Sequence, residues 1–448
     1  MADRPLSALG GKTPLQAAFT PNMDKLAREG AVGEAKTLPE GLPTGSDVAN
    51  LGILGYDPAR YYTGRAPLEA ASMGLRLKSG DVAFRCNFVT LKFNKDRTRA
   101  FMEDHSAGQL TSEEGRMLMK DLNRELGSER VKFYPGVSYR NLMLYSGGNS
   151  SGGKKVSMDM SSPAPGSLEC TPPHDILGRE ISGYLPQGAG EDIIRKLMLA
   201  SVDILERHSV NRKRVAAGKR PANSIWLWGQ GGKPELPPFG RLYGLKGAMV
   251  SAVDLAKGLA ISAGLKVVEV PGATGYLDTN YAGKAEYALR ALDDADFVYI
   301  HVEAPDETSH EGSIENKIKA IEDFDALVVG GIMRGMPEFG RFRVLLMPDH
   351  ATPIELRTHA KDPVPFAIYD SAEKAAPVNA DRYDESILKL SGILKLPAHE
   401  IMKFFLNPSP PAILRAGQGP RGPKGEGFNK NKIARGATRK RRGGTREK

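Results

Sequence analysis

An α/β fold with a mostly parallel sheet covered by helices on both faces, interrupted by an inserted α+β domain, is what three features of this chain predict. From Ser224 onward, short aliphatic runs alternate with helical patterns, which argues for a parallel sheet. Between about Met73 and Gly218 the texture changes and that alternation is lost. Two runs, Phe297-Val-Tyr-Ile and Val344-Leu-Leu-Met, have the length and aliphatic content of buried parallel strands, and each ends in a loop carrying a carboxylate and an imidazole. Strand ends of open α/β sheets are where ligands bind.

In chain order, Pro21 to Gly30 reads as a short helix stopped by glycine. The segment Leu38 to Pro58 is punctuated by proline and glycine, and Ser46-Asp47 has the chemistry of a helix N-cap before Val48-Ala-Asn-Leu. A capping role is the commonest use of such a serine; the position is also one where free backbone N–H groups attract phosphate. Within the inserted segment, Val82 to Leu91 reads as a strand, Glu113 to Leu126 as a helix, Lys132-Phe-Tyr-Pro and Tyr139 to Tyr145 as strands, and Asp192 to Arg207 as an amphipathic helix. The Gly147-Gly-Asn-Ser-Ser-Gly-Gly-Lys run is a loop tip.

The core is expected to resume with a strand at Ser224-Ile-Trp-Leu-Trp. Helix Met249 to Ala263, strand Leu265 to Val270, helix Tyr281 to Leu292, the strand before Asp306, helix Ile314 to Arg334 and the strand before Asp349 follow. Helices over Asp384 to Leu394 and Glu400 to Phe405 close it. The expected division is a discontinuous core of residues 1–72 and 219–408, an insertion of 73–218, and a tail of 409–448.

The net charge of +9 sits in that tail: from Ala416 onward there are 11 Lys/Arg and 2 Asp/Glu, which leaves 51 of each in the rest. Such a basic, Gly-rich stretch cannot bury enough apolar surface to fold, and any nucleic-acid contact is expected only weakly through it. No window has the apolar length of a membrane span, and Met-Ala-Asp-Arg-Pro lacks a signal-peptide pattern, so a cytoplasmic protein with no membrane partner is expected. Two cysteines, Cys86 and Cys170, make neither a disulfide framework nor a zinc knuckle.

Asp306 and His310 are four apart, so on a helix both would face the same way and could share an ion. Asp349 and His350 are adjacent, and His359 follows nine residues on. Any one of these alone is more often a surface polar group or a satisfied core histidine. Three of only eight histidines beside aspartates within about fifty residues change that balance. Mixed Asp/His ligation without cysteine suits zinc, manganese or iron.

These residues also carry a resemblance. Met1-Ala-Asp-Arg-Pro-Leu, Leu42-Pro-Thr-Gly-Ser-Asp-Val-Ala-Asn-Leu-Gly, Ile225-Trp-Leu-Trp-Gly-Gln-Gly, His301-Val-Glu-Ala-Pro-Asp-Glu-Thr-Ser-His and Pro348-Asp-His-Ala-Thr-Pro are similar to signatures of one family. Over residues 1–407 the chain resembles the archaeal-type cofactor-independent (2,3-bisphosphoglycerate-independent) phosphoglycerate mutases of the alkaline phosphatase superfamily. The resemblance implies an alkaline-phosphatase-like core and interconversion of 3-phosphoglycerate and 2-phosphoglycerate through a phosphoserine at Ser46. It also implies two divalent metal ions, usually manganese, with magnesium, cobalt or zinc as substitutes, and no requirement for 2,3-bisphosphoglycerate. Ser46 would share one ion with Asp349 and His350; Asp306, His310 and His359 would hold the other. The insertion would close over the substrate, with His105 as the candidate for proton transfer and Arg65 and Lys246 as candidate phosphate or carboxylate contacts.

One departure shapes expectation. In the family a first core strand ends in Gly-Asp-Gly before this methionine, and that aspartate is a ligand to the serine's ion. The sequence opens at the methionine, so strand and ligand are both expected to be lacking. Asp3 is expected to be a turn residue before Arg-Pro. Two rival readings remain in view: a related phosphotransferase such as a homoserine kinase, separable by nucleotide dependence, and an inactive protein that contacts RNA through its tail.

Overall fold

The computed structural model describes residues 1–147, 168–373 and 380–406, so most of the Gly147 loop tip and all of the basic tail lie outside the described residues. In chain order the strands are β1 (Ala31–Lys36), β2 (Val82–Phe93), β3 (Ala100–Asp104), β4 (Val131–Val137), β5 (Arg140–Tyr145), β6 (Leu168–Glu169) and β7 (Gln187–Gly188). They continue as β8 (Ser224–Gly232), β9 (Gly247–Val250), β10 (Lys266–Val268), β11 (Phe297–Ile300), β12 (Arg343–Leu346), β13 (Val364–Asp370) and β14 (Leu394–Pro397). No helix among the described residues is long and apolar enough to cross a membrane.

The core holds two sheets where one mostly parallel sheet was expected. β10-β9-β11 is wholly parallel. Its central strand alternates sides: Met249 packs with Leu255 and Leu259 of the helix Asp254–Ser262, and Val250 packs with Ala288 of the helix Tyr281–Ala291. The second sheet, β12-β13-β1-β14, is mixed, because β13 runs antiparallel to both β12 and β1. One long loop joins β12 to β13 and turns the chain straight back, where a crossover helix would have kept the strands parallel. β11 and β12, each at the edge of its sheet among the described residues, face one another across an apolar cavity of about 450 Å³ lined by Phe297, Tyr299, Val344, Leu346, Val329 and Phe405.

The expected helix Ile314 to Arg334 is three pieces, with a π-helical turn Phe324–Val329 between α-helical segments. The turn places the buried Asp325 carboxylate against Met23 N (2.7 Å) and Asn22 Nδ2 (2.8 Å), at the first turn of the helix Pro21–Glu29, whose own Thr20 makes no capping bond. Asp384 to Leu394, expected as helix, contains only a 3₁₀ turn, Glu385–Lys389, before β14.

The insertion forms an antiparallel sheet in the order β3-β2-β5-β4, with β8 also paired to β2. The strand Ser224–Gly232 was expected to open the returning core and instead pairs with β2 in this antiparallel sheet. The reason is packing: Ile225, Trp226, Leu227 and Trp228 are all buried, and they join Phe84, Cys86, Phe88 and Met198 in one apolar cluster. Cys86 and Cys170 are both free.

Near the amino terminus, Asp3 Oδ1 accepts from Arg4 N at 2.7 Å, but no turn forms there, and Asp3 is a buried ion-pair member rather than the turn residue expected. Its other oxygen pairs with Lys317 Nζ at 2.7 Å, with both side chains fully buried, and Lys317 also donates to Thr352 O at 3.0 Å. Removing one member of a buried pair leaves an uncompensated charge. Lys317→Ala should therefore lower unfolding stability by about 3–5 kcal/mol, read from urea denaturation midpoints. A loss within about 1 kcal/mol, the scale of a surface pair, would show that water reaches Asp3.

Candidate functional site

Past β11 the chain enters the helix Ala304–Glu311, with Asp306 in its first turn and His310 one turn on. The helical spacing brings His310 Nε2 to 3.1 Å from Asp306 Oδ2. Past β12, the loop to β13 carries Asp349, His350, Thr352 and His359. His359 Nε2 lies 3.1 Å from His310 Nε2 and 3.5 Å from Asp306 Oδ2. Asp306, His350 and His359 each offer a ligand atom within 4.8 Å of the others.

Ser46 is the first residue of the helix Ser46–Ile53; Gly45 is its N-cap, and no side chain caps it. Ser46 Oγ lies 2.9 Å from His350 Nε2, and His350 Nε2 lies 3.4 Å from Asp349 Oδ2. A Cβ at Gly45 would stand 2.5 Å from Asp47 Oδ1, so a larger residue there would have to push that carboxylate aside. Asn50, one turn after Ser46, donates to Ser46 O (2.8 Å) and Asp349 Oδ2 (3.0 Å) and accepts from Tyr299 OH (2.5 Å). Serine helix, β11 and the β12 loop are thereby tied together.

All three imidazoles commit Nδ1 outward and turn Nε2 inward. His310 Nδ1 faces Arg357 O at 2.9 Å, His359 Nδ1 faces Thr44 O at 2.9 Å, and His350 Nδ1 faces Thr352 Oγ1 at 3.1 Å. Two Nε2 atoms 3.1 Å apart beside a carboxylate need a proton or a cation among them. The charges respond accordingly. Burial would push the Asp306 carboxyl up, but hydrogen bonds from His310 and His359 overcome it and hold it well below the usual range. The bond to Asp306 lifts His310 to about 9 against burial, and Asp306 likewise raises His359. His350 is lowered by burial, with Asp349 opposing.

Behind the serine lies a second buried group. Glu303 and His301 share a small void with Ser46; His301 Nε2 is 3.3 Å from Glu303 Oε2, and Lys284 Nζ donates to His301 O at 3.3 Å. Burial raises the Glu303 carboxyl well above its ordinary value and lowers the Lys284 ammonium to about 8.

Arginines from both the core and the expected insertion add cations. Arg65 and Arg85 both bond Glu69, at 3.3 and 3.0 Å, and Arg85 lies over the Trp228 ring at 4.4 Å. Burial lowers Arg85 to about 10, with Glu69 opposing and Arg65 and Arg140 adding repulsion. His174 sits edge-on to Trp228 (5.4 Å between centroids) and to His105 (6.2 Å). These groups reach the strand-end carboxylates electrostatically: Arg65 opposes the rise of Glu303, and Arg140 that of Glu307.

Of the residues expected at the site, Ser46, Asp306, His310, Asp349, His350 and His359 converge; Arg65 lies with Arg85 on Glu69, and His105 sits edge-on to His174. Lys246 does not. It is exposed just before β9, at the strand's amino-terminal end, whereas the ligands follow the carboxyl-terminal end of the parallel neighbour β11. Arg85, Arg140, His174, Asn50, Tyr299 and Thr352 were not anticipated. Arg85 did leave a signal, a charge inside the apolar run Val82-Ala-Phe-Arg-Cys.

The chain has relatives among known proteins. The sequence model of a family described as 2,3-bisphosphoglycerate-independent phosphoglycerate mutase matches residues 27–211. A protein of that name from Methanosarcina barkeri is 50% identical over 407 residues, covering 91% of this chain and 97% of the relative. Among solved structures, a protein from Pyrococcus horikoshii aligns with TM-score 0.72 and 28% identity over 94% of this chain and 97% of its own. A cofactor-independent phosphoglycerate mutase from Thermoplasma acidophilum aligns with TM-score 0.57 and 26% identity over 91% and 96%. With half its residues shared across nearly the whole length of such a relative, the chain belongs to the family of 2,3-bisphosphoglycerate-independent phosphoglycerate mutases.

Proposed function

We propose that this chain interconverts 3-phosphoglycerate and 2-phosphoglycerate, a step of glycolysis and gluconeogenesis, through a phosphoserine at Ser46 and without added 2,3-bisphosphoglycerate. The observation that carries the reading is Ser46 Oγ, released from capping and set 2.9 Å from His350 Nε2 at a helix amino terminus. The free N–H groups of that helix end favour a phosphoryl group there.

Inward Nε2 atoms beside carboxylates fit two divalent cations, with Asp306, His310 and His359 holding one and Ser46, Asp349 and His350 the other. The mixed nitrogen and oxygen donors suit manganese. When bound, such a pair supplies Lewis acidity to the serine oxygen and to the oxygens exchanged at phosphorus. The chain's own residues do the rest. In the first transfer the P–O bond forms at Ser46 Oγ as the bond to the glycerate oxygen breaks, and the proton lost by the serine is made good on that oxygen. The second transfer reverses this at the neighbouring hydroxyl. His105, beside His174, would carry protons for the glycerate, while Arg65, Arg85 and Arg140 would offset its carboxylate and phosphate charge. The insertion would close the site against water, which would otherwise hydrolyse the phosphoserine.

Purified chain supplied with manganese and 3-phosphoglycerate, and neither nucleotide nor bisphosphoglycerate, should form 2-phosphoglycerate. Dependence on a nucleotide would replace this reading with a kinase-like one. Ser46→Ala should lose turnover by at least about a thousandfold, since the attacking oxygen is removed, with melting little changed because Ser46 makes no capping bond. Retained turnover would remove Ser46 as nucleophile.

The raised pKa of His310 also makes metal binding a competition with a proton. Without metal, that proton stabilises the fold fully below 6.5, and the contribution is gone above about 9. Manganese affinity should therefore fall by about tenfold for each pH unit below that upper value while one proton is displaced. Calorimetric titration in buffers of different ionisation heat measures the proton released; pH-independent affinity would exclude His310 as a ligand.

A further inference from the structure

Thr352 is 1% exposed and lies between the two groups of metal-type residues. Its Oγ1 donates to Asp306 Oδ1 at 2.5 Å and lies 3.1 Å from His350 Nδ1. A hydroxyl has one proton, and a carboxylate can only accept, so that proton goes to Asp306. The oxygen's lone pair then meets Nδ1–H of His350. The imidazole proton is thereby placed on Nδ1 and the lone pair on Nε2, the atom that faces Ser46 Oγ at 2.9 Å. The backbone is pinned at both ends: Thr352 N donates to Ala2 O at 3.2 Å, and Thr352 O accepts from Lys317 Nζ at 3.0 Å.

His310 and His359 take their outer partners from backbone carbonyls, which no side-chain substitution at those partners removes. His350 depends on a side-chain hydroxyl that is itself committed to a ligand of the other group. We propose that Thr352 is a positioning residue that couples the two half-sites: one hydroxyl sets the His350 tautomer for the serine and holds the Asp306 carboxylate in the orientation its own cation requires. The half-sites are those of the proposed function; the tautomer assignment does not depend on any activity.

The test compares the full chain with Thr352→Val, which keeps the shape and deletes the hydroxyl, and Thr352→Ser, which keeps the hydroxyl. Ring-¹⁵N NMR of metal-free protein, with His350→Gln used to assign the signals, should show His350 protonated on Nδ1 in the parent chain and in Thr352→Ser. In Thr352→Val it should move to Nε2 or to a mixture. Manganese titration should then show both half-sites weakened by about tenfold or more in Thr352→Val and near parent affinity in Thr352→Ser. An unchanged tautomer with both affinities intact in Thr352→Val overturns the proposal, as does weakening of one half-site only. Should Thr352→Val not fold, Thr352→Cys, with a weak S–H donor, is read the same way. Failure of mutase activity in the parent chain would leave the NMR result standing, so failure of the functional reading and failure of the coupling are distinguishable.

Discussion

Two imidazole nitrogens and a carboxylate oxygen within about 3.5 Å of one another cannot coexist as bare lone pairs, and the site is arranged around that constraint. Each Nδ1 is spent on an outer acceptor, so no ring can relieve the conflict by turning over. A proton on His310 is the minimal answer, and a divalent cation is the fuller one. Every element that reaches this point serves to hold acceptors close together. A helix spaces Asp306 and His310, a return loop brings His350 and His359 across, and the serine helix presents Ser46 from the other side.

The ligand set was legible because its signals are local. Asp306 and His310 four apart, or Asp349 beside His350 after an aliphatic run, need no long-range knowledge to be placed at strand ends. What escaped depends on partners distant in sequence. Thr352 means nothing until Asp306, forty-six residues earlier, is at its hydroxyl. Arg85 becomes a site residue only when β2 and β8 pair and bring it over Trp228. Lys246 was misplaced because its Gly244-Leu-Lys-Gly context does not reveal which end of a parallel strand it precedes.

The fold shows the same division. Alternating aliphatic and helical runs correctly marked β10 and β11 but assigned Met249 and Val250 of β9 to the helix that follows it. Periodicity did not mark the antiparallel return of β13, since a short buried strand looks alike in either direction. Ser224–Gly232 has the composition of a buried core strand, and it is one; it lies in the inserted sheet because its two tryptophans complete that cluster. Which core a strand belongs to is a question of partner, and partner is the information that a run of hydrophobic residues lacks.

The cavity between β11 and β12 gives the site a mechanical meaning. No ladder of backbone hydrogen bonds runs between these two strands among the described residues, so they are joined by side-chain contacts: Phe405 packs on Phe297 of β11 while its carbonyl accepts from Arg343 of β12, and the site spans them beyond the strand ends. Asp306 and His310 ride on one half, and His359 and His350 on the other. A cation gripped by both would be a rivet through two plates, and the Tyr299–Asn50–Asp349 chain a second, lighter pin. In such a design a bound cation would also be a structural fastener, and the stiffness of the site would follow its charge.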